Sequence, residues 1–177
     1  MADIDDFRKQ KDEFFAQGHG SPLEHDQQRD FSGLDYFPEN PSLRFEVDPE
    51  RFDNPEEVRM TTSTGDIAEF RRWGQVRFFV DGQIAELALY QDIHQGHLFV
   101  PFTDATSGTD TYGAGRYLDP VLLEDGRVSV DLNYAYNPYC AYNDHWSCPI
   151  PPAENHLAVP IHAGEKNFPG VVGAGGY

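Results

Sequence analysis

Lysine is nearly absent from this sequence, which has three lysines against ten arginines and thirty acidic residues. The formal net charge is −17, and the acidic residues are dispersed along the chain instead of forming one tail. No basic stripe is available to meet phosphates, which argues against nucleic-acid binding. A dispersed, aspartate-rich surface is typical of proteins that work in high salt, where ions screen self-repulsion. We expect a salt-adapted protein; an acidic face for a cationic partner is the alternative.

Long apolar runs are missing as well. No stretch approaches the roughly 20 apolar residues that a membrane-spanning helix needs. The opening MADIDDFRKQ is charged and lacks the apolar region of a signal peptide. These features predict a cytoplasmic protein without a membrane partner. Only two cysteines occur, and a reducing compartment favours free thiols over a disulfide.

Aromatic residues, in contrast, make up 14% of the chain. Disordered chains are poor in such rings, so this composition indicates a folded protein. A length of 177 residues is sufficient for one domain with one core. We predict a single domain over residues 1–168, followed by a glycine-rich, mobile tail over residues 169–177.

The hydrophobic pattern predicts one helix near the start of the chain. Ile4, Phe7, Phe14 and Phe15 recur at helical spacing after the N-cap candidate Asp3, which predicts a helix over residues 4–17. Residues 21–41 are too polar and too broken by proline and glycine for regular structure.

From residue 43 the hydrophobic period is two, which indicates strands in a β-rich body over residues 43–166. The run QVRFFVDGQIAELALYQ predicts a hairpin that turns at Asp81-Gly82. Because no second long helical pattern follows, a parallel βαβ sheet is disfavoured. We predict a mainly β fold of about eight strands, an antiparallel β-sandwich or a partly open β-barrel with the N-terminal helix packed on it. Other predicted strands lie in LRFEV, VRMTTSTGDIAEFRRWG, HLFVPF, RVSVDLNY and HLAVPIHA.

The segment FTDATSGTDTYGAGRYLD, residues 102–119, is rich in glycine, serine and threonine. It lacks the end of a Walker loop and has no βαβ unit around it, so neither common nucleotide motif fits. Arg116 is a fixed cation in a loop of hydroxyl groups, suited to a carboxylate or phosphate of a ligand. The alternative is that Arg116 holds the loop by pairing with Asp104, Asp119 or Asp131.

A second unusual segment, residues 131–166, contains both cysteines, three of the seven histidines and five prolines. Cys140, His145 and Cys148 are followed by His156 and His162, and a set of four such donors is chemically adequate for zinc, but seven residues separate the two cysteines. A disulfide between the cysteines, two buried free thiols, or a cysteine nucleophile activated by histidine are the alternatives.

Together, the two segments carry most of the polar chemistry of the chain, and we expect them to converge in a pocket floored by tyrosines. Acid/base catalysis without a cofactor would use Asp131 or Glu154, since a carboxylate among tyrosines can have its pKa raised. The residues expected to bind the ligand are Asp104, Ser107, Tyr112, Arg116, Tyr117, Asn133, Tyr136, Asn137, Asn155 and Glu165.

These motifs also resemble a known family. DATSGTDTYGAGRYLD, followed by DLNYAYNPYCAYNDHWSCPIPPAENHLAVPIHAGEK, is similar to the prokaryotic family called domain of unknown function 1684. The earlier pieces FSGLDYFPEN and MTTSTGDIAEFRRWGQVRFFVDGQ resemble it too, so the likeness covers nearly the whole chain. The family name implies no activity or cofactor. His145 and His156 do not match the family pattern, which weakens a four-ligand zinc site.

The leading hypothesis from the sequence is a small-molecule binding protein whose ligand carries a polar or anionic group, with no cofactor. One alternative is a structural or interaction module, in which the two motifs only satisfy buried backbone groups. The other is a metal-stabilised domain that uses Cys140 and Cys148.

Overall fold

The structure is a computed structural model that describes residues 3–168. The predicted tail at 169–177 lies outside these described residues. Helix α1 (Ile4–Gln17) has the predicted bounds, and the Asp3 side chain caps it by accepting from the Asp6 amide at 2.9 Å. No helix in the described part of the chain is long and apolar enough to cross a membrane.

A second short helix, α2 (His25–Asp30), lies in a segment that the sequence predicted to be irregular. Glu24 and Gln27 form a capping box at its start, each side chain bonding to the backbone of the other. This spacing is a local helix signal, and the prediction of irregular structure at this point was wrong.

The strands pair antiparallel throughout residues 3–168. The strands are β1 (Arg44–Val47), β2 (Glu50–Arg51), β3 (Glu57–Thr61), β4 (Ile67–Val80), β5 (Gln83–Asp92), β6 (Leu98–Phe102), β7 (Arg116–Leu118), β8 (Val121–Leu122) and β9 (Val128–Asp131). The larger sheet has the order β2-β4-β5-β6-β7 with β3 beside β4, and the smaller sheet has the order β1-β9-β8. Among the described residues neither sheet closes into a barrel, so the predicted mainly β, antiparallel, open architecture is confirmed.

The predicted hairpin joins β4 to β5. Asp81 and Gly82 have φ angles of 51° and 77°, the left-handed conformations that a tight two-residue turn requires. The side chains on one face of this hairpin and those of the smaller sheet enclose the main core between the two sheets.

A β-bulge in β4 separates two packing faces of the larger sheet. The register shifts between Arg72 and Gly74 and leaves Trp73 as the extra residue. Because an extra residue reverses the alternation, Phe70 packs on the outer face whereas Val76 packs in the main core. The outer face is covered by the segment that contains both cysteines.

Residues 156–163 form no strand, although HLAVPIHA alternates as a strand would. Leu157, Val159 and Ile161 do enter the main core, so the alternation predicted their burial correctly. Their backbone bonds instead to the loop after β6: the Leu157 amide donates to Thr103 O at 2.8 Å, and the Ile161 amide donates to the Asp104 carboxylate at 2.5 Å. A few backbone hydrogen bonds and one side-chain acceptor, Asp104, thus take the place of a regular strand ladder.

Candidate functional site

The side chains of strand β7 lie on two opposite faces of the larger sheet. Alternation along a strand puts Arg116 and Leu118 on the side of the main core and Tyr117 on the outer face. Gly115 allows the entry to this strand, because it has φ +105° and a Cβ there would lie 2.4 Å from Phe102 O. Because these residues were predicted to lie in a loop, the division of their side chains between two faces was not predicted.

Arg116 is 1% exposed, and protein groups engage its guanidinium. Nη2 donates to Ile161 O at 3.0 Å and to the Asp104 carboxylate at 3.4 Å, and Nη1 donates to Glu165 O at 3.2 Å and to Ala163 O. Burial lowers the pKa of Arg116, and Asp104 and Glu165 act in the opposite direction. The structure therefore corrects the expectation of a ligand-binding cation and matches the alternative of a pair with Asp104.

The Asp104 carboxylate organises its own loop. Besides Arg116 and the Ile161 amide, it accepts from Thr106 Oγ1 at 2.8 Å and from Ser107 Oγ at 3.3 Å. Asp104 and Ser107 thus hold the loop instead of facing a ligand.

Glu165 joins helix α1 to the second segment and is 2% exposed. Its carboxylate is ion-paired with Lys11 and accepts from Tyr142 Oη at 2.7 Å and from the Asn137 amide at 3.1 Å. The Asn137 side chain donates to Lys166 O at 3.0 Å. These two residues, both expected to bind ligand, lie in a buried structural network.

Asn155 is fully buried, and its side-chain amide supplies hydrogen bonds between β5 and β6 at a point where the two strands do not pair directly. Tyr90 pairs with Phe99, so two residues further along β5 and β6 the same register places Ala88 opposite Pro101, which has no amide hydrogen. The Asn155 side chain accepts from Ala88 N at 2.8 Å and donates to Ala88 O and Pro101 O, each at 3.0 Å. Its amide therefore takes the place of the absent strand contact.

Asn133 and Asp131 anchor the segment before β1. Asn133 exchanges two hydrogen bonds with the Asn40 backbone, at 2.8 and 2.9 Å, and also donates to Asp131. Asp131 is ion-paired with Arg44 at 3.1 Å. This carboxylate lines a second cavity, of about 970 Å³, beside the start of α1.

Glu154 has an environment opposite to the one expected for a catalytic acid. Arg72 Nη2 and Nε donate to its two oxygens at 2.8 and 3.1 Å, and Tyr90 donates a further hydrogen bond. The hydrogen bonds from Arg72 lower the pKa of this carboxyl, so the expected rise is wrong. Glu154 and Asp131 are held by different arginines, and neither lines the aromatic pocket described below.

The two cysteines lie side by side as free thiols. The Cys140 amide donates to Cys148 Sγ at 3.3 Å, and Tyr112 Oη lies 3.8 Å from Cys140 Sγ. A hydrogen bond from Cys148 lowers the pKa of the Cys140 thiol to about 7, whereas the same contact raises the pKa of Cys148.

The metal alternative lacks a complete set of donors. His145 Nε2 lies 3.3 Å from Glu24 Oε1 on the surface, and His156 Nδ1 lies 2.8 Å from Thr103 Oγ1. Within residues 3–168, no three histidine, cysteine or acidic side chains are placed to share one metal ion. The cysteine pair on its own does not make a structural zinc site.

The two unusual segments converge at an aromatic pocket of about 450 Å³ on the outer face of the larger sheet. Tyr117 and Tyr136 are the residues of the expected ligand-binding set that line it. The other lining residues are Phe70, Asp92, His97, Phe99, Asp119, Pro138, Tyr139, Trp146, Ser147, Cys148 and Pro149.

Several ring pairs of this aromatic pocket pack at steep angles, whereas Phe70 and Phe99 are stacked at 20°. Tyr117 and Tyr136 have centroids 5.8 Å apart at 85°, and Tyr139 and Trp146 have centroids 5.1 Å apart at 68°. Tyr136 Oη donates to the Asp119 carboxylate at 2.8 Å. Partial burial raises the pKa of Asp119, and the hydrogen bond from Tyr136 acts against that rise.

Asp119 lines the pocket but is not among the residues that were predicted to bind the ligand. Tyr117 and Asp119 are two residues apart, so a strand assignment over GRYLD would have placed both on the outer face. The remaining wall comes from distant parts of the chain, such as Phe70 and His97, and no local signal predicted it.

The fold and this pocket define a class: small antiparallel β proteins whose outer sheet face is covered by one irregular segment. The chain belongs to the family described as "Protein of unknown function (DUF1684)", which matches residues 29–166 and confirms the resemblance. A solved relative is the uncharacterized protein of Haloarcula marismortui determined by solution NMR. It is 36% identical, with a TM-score of 0.70, and the alignment covers 92% of this chain and 91% of that one. No curated protein matches the chain.

Proposed function

We propose that the protein binds a small polar molecule in the aromatic pocket. The supporting observation is the convergence of the two unusual segments on a cavity of about 450 Å³. That volume falls among small-molecule sites, which have roughly 300–1,000 Å³ and an apolar lining with a few polar groups. Asp119, Asp92 and His97 are the charged or ionisable groups of that kind here. Binding is favoured over catalysis because Asp131 and Glu154 lie outside the pocket.

Trp146 gives this proposal a direct optical test. The chain has two tryptophans, and Trp146 lines the pocket whereas Trp73 is buried in the main core. We expect a saturable change in tryptophan emission with at least one of a panel of small cationic, neutral and anionic molecules. The change should disappear in Trp146→Phe, which keeps Trp73 as an internal reference. A panel without any saturable response would refute the proposal.

The second candidate is a structural or interaction module. It is favoured by Arg116 and Asn155, whose polar side chains are buried and bonded to backbone groups. Under this alternative the pocket binds nothing, and the same titration distinguishes the two candidates. For the cellular setting, we infer a cytoplasmic, salt-adapted protein from the composition, and the Haloarcula relative agrees with salt adaptation.

A further inference from the structure

We infer that the ligand of the aromatic pocket is an organic cation of the methylated ammonium class. This inference rests on the proposed binding function and goes beyond it by choosing the charge and shape of the ligand. Two independent features support the choice: the arrangement of the rings and the sign of the charge around them.

Six aromatic side chains line the pocket: Phe70, Phe99, Tyr117, Tyr136, Tyr139 and Trp146. Several of them meet at steep angles, including Phe99 and Tyr117 at 72° with centroids 4.7 Å apart. Rings in such an arrangement offer their π faces in more than one direction. A cation over the face of Trp or Tyr is attracted by the ring quadrupole, and several rings together form the cage that recognises quaternary ammonium groups.

The charge of the pocket has the matching sign. None of the described lining residues is a lysine or an arginine, and two of them, Asp92 and Asp119, are carboxylates. Backbone amides of its own turn, from His94 and Gln95, already bind Asp92, at 2.8 and 2.6 Å. Asp119 is therefore the carboxylate better placed to meet a ligand.

Asp119 is in no ion pair among residues 3–168, and its carboxylate accepts a hydrogen bond from Tyr136 Oη. A neighbouring cation would compensate the partly buried charge. Lys11 already lies 5.2 Å from the Tyr136 ring, which shows that this ring accommodates a cation, but its ammonium is ion-paired with Glu165. An anionic ligand would instead meet two carboxylates, with His97 as the single basic side chain among the described lining residues, because Arg116 is in the main core.

The test compares choline with 3,3-dimethylbutan-1-ol, an uncharged molecule of the same shape in which carbon replaces the ammonium nitrogen. Calorimetric titration of the full chain should give binding of choline that is about tenfold tighter or more. Asp119→Asn keeps an oxygen acceptor for Tyr136 but removes the charge, so it should weaken choline about tenfold and leave the alcohol unchanged. Asp53→Asn, on the exposed surface, is the control for the same change in net charge.

Each outcome decides a different point. Preferential choline binding that depends on Asp119 and not on Asp53 supports the inference. Equal binding of choline and the alcohol overturns the inference that the ligand is a cation, and it supports a pocket that binds neutral molecules. Equal weakening by both substitutions overturns the role of Asp119. Absence of binding by either probe overturns the ammonium class, and the proposed pocket function then depends on the wider tryptophan titration alone.

Discussion

Replacement of Asn155 by alanine is the sharpest test of how this fold is held together. The substitution removes three hydrogen bonds and leaves the amide of Ala88 and the carbonyls of Ala88 and Pro101 without partners in a fully buried site. Each buried polar group that loses its partner costs about 1–3 kcal/mol. Since the three groups are adjacent and relax together, we expect a total loss of about 3–5 kcal/mol. That loss is a third or more of a typical domain stability of about 5–15 kcal/mol.

The assay is urea unfolding at one fixed salt concentration, followed by tryptophan emission and circular dichroism. Asn54→Ala, at an exposed position, is the matched control and should change the free energy of unfolding by less than about 0.5 kcal/mol. Asn155→Asp should be at least as harmful as alanine, because a carboxylate cannot donate to the two carbonyls and adds a buried charge. A loss below about 1 kcal/mol for Asn155→Ala would refute the assignment of Asn155 as a substitute for strand pairing.

Three further predictions concern the cysteines, the glycine before β7 and the surface charge. Alkylation of Cys140 should accelerate as the pH rises through about 7, and Cys148→Ala should move the midpoint of that pH profile upward, because the hydrogen bond from Cys148 lowers the Cys140 pKa. Mass spectrometry measures the alkylation rates, and an unchanged midpoint in Cys148→Ala would contradict the contact between the two cysteines. In urea unfolding, Gly115→Ala should lower the free energy of unfolding by about 3 kcal/mol and Gly126→Ala by about 1 kcal/mol. Both glycines have a positive φ, but of the two only Gly115 has a neighbour, Phe102 O, that a Cβ would collide with. Equal losses in the two variants would contradict the close approach of Gly115 to Phe102. The melting temperature should rise steeply between about 0.1 M and about 1 M KCl, as the screening length falls from ~10 to ~3 Å; a flat calorimetric profile argues against salt adaptation.

Local patterns predicted the fold class because the strongest signals in this sequence are local. The capping Asp3, the turn at Asp81-Gly82 and the period of two each specify a short stretch without reference to the rest of the chain. The segment HLAVPIHA shows the limit of such patterns. Its alternation correctly predicts which side chains are buried, but whether a neighbouring strand accepts its hydrogen bonds depends on residues more than fifty positions away.

The candidate site was predicted in part for the same reason. Both unusual segments do meet at a pocket that contains tyrosines, yet Asp119 lines this pocket whereas Arg116 does not. Arg116 is conspicuous in so acidic a chain, but a buried arginine and a ligand-binding arginine have the same local sequence. Only the face on which β7 presents each side chain distinguishes the two roles, and that face depends on the pairing of β7 with β6.

The ion pair between Lys11 and Glu165 has a consequence for how the chain is made. The two residues are separated by 154 positions, so helix α1 cannot complete this contact until Glu165 has been synthesised. Until then Phe15, which is 1% exposed in the folded protein, has no Tyr142 to cover it. Closure of so long a loop is slow and comes late in folding. We therefore expect α1, although it precedes every strand in the sequence, to be among the last elements to dock.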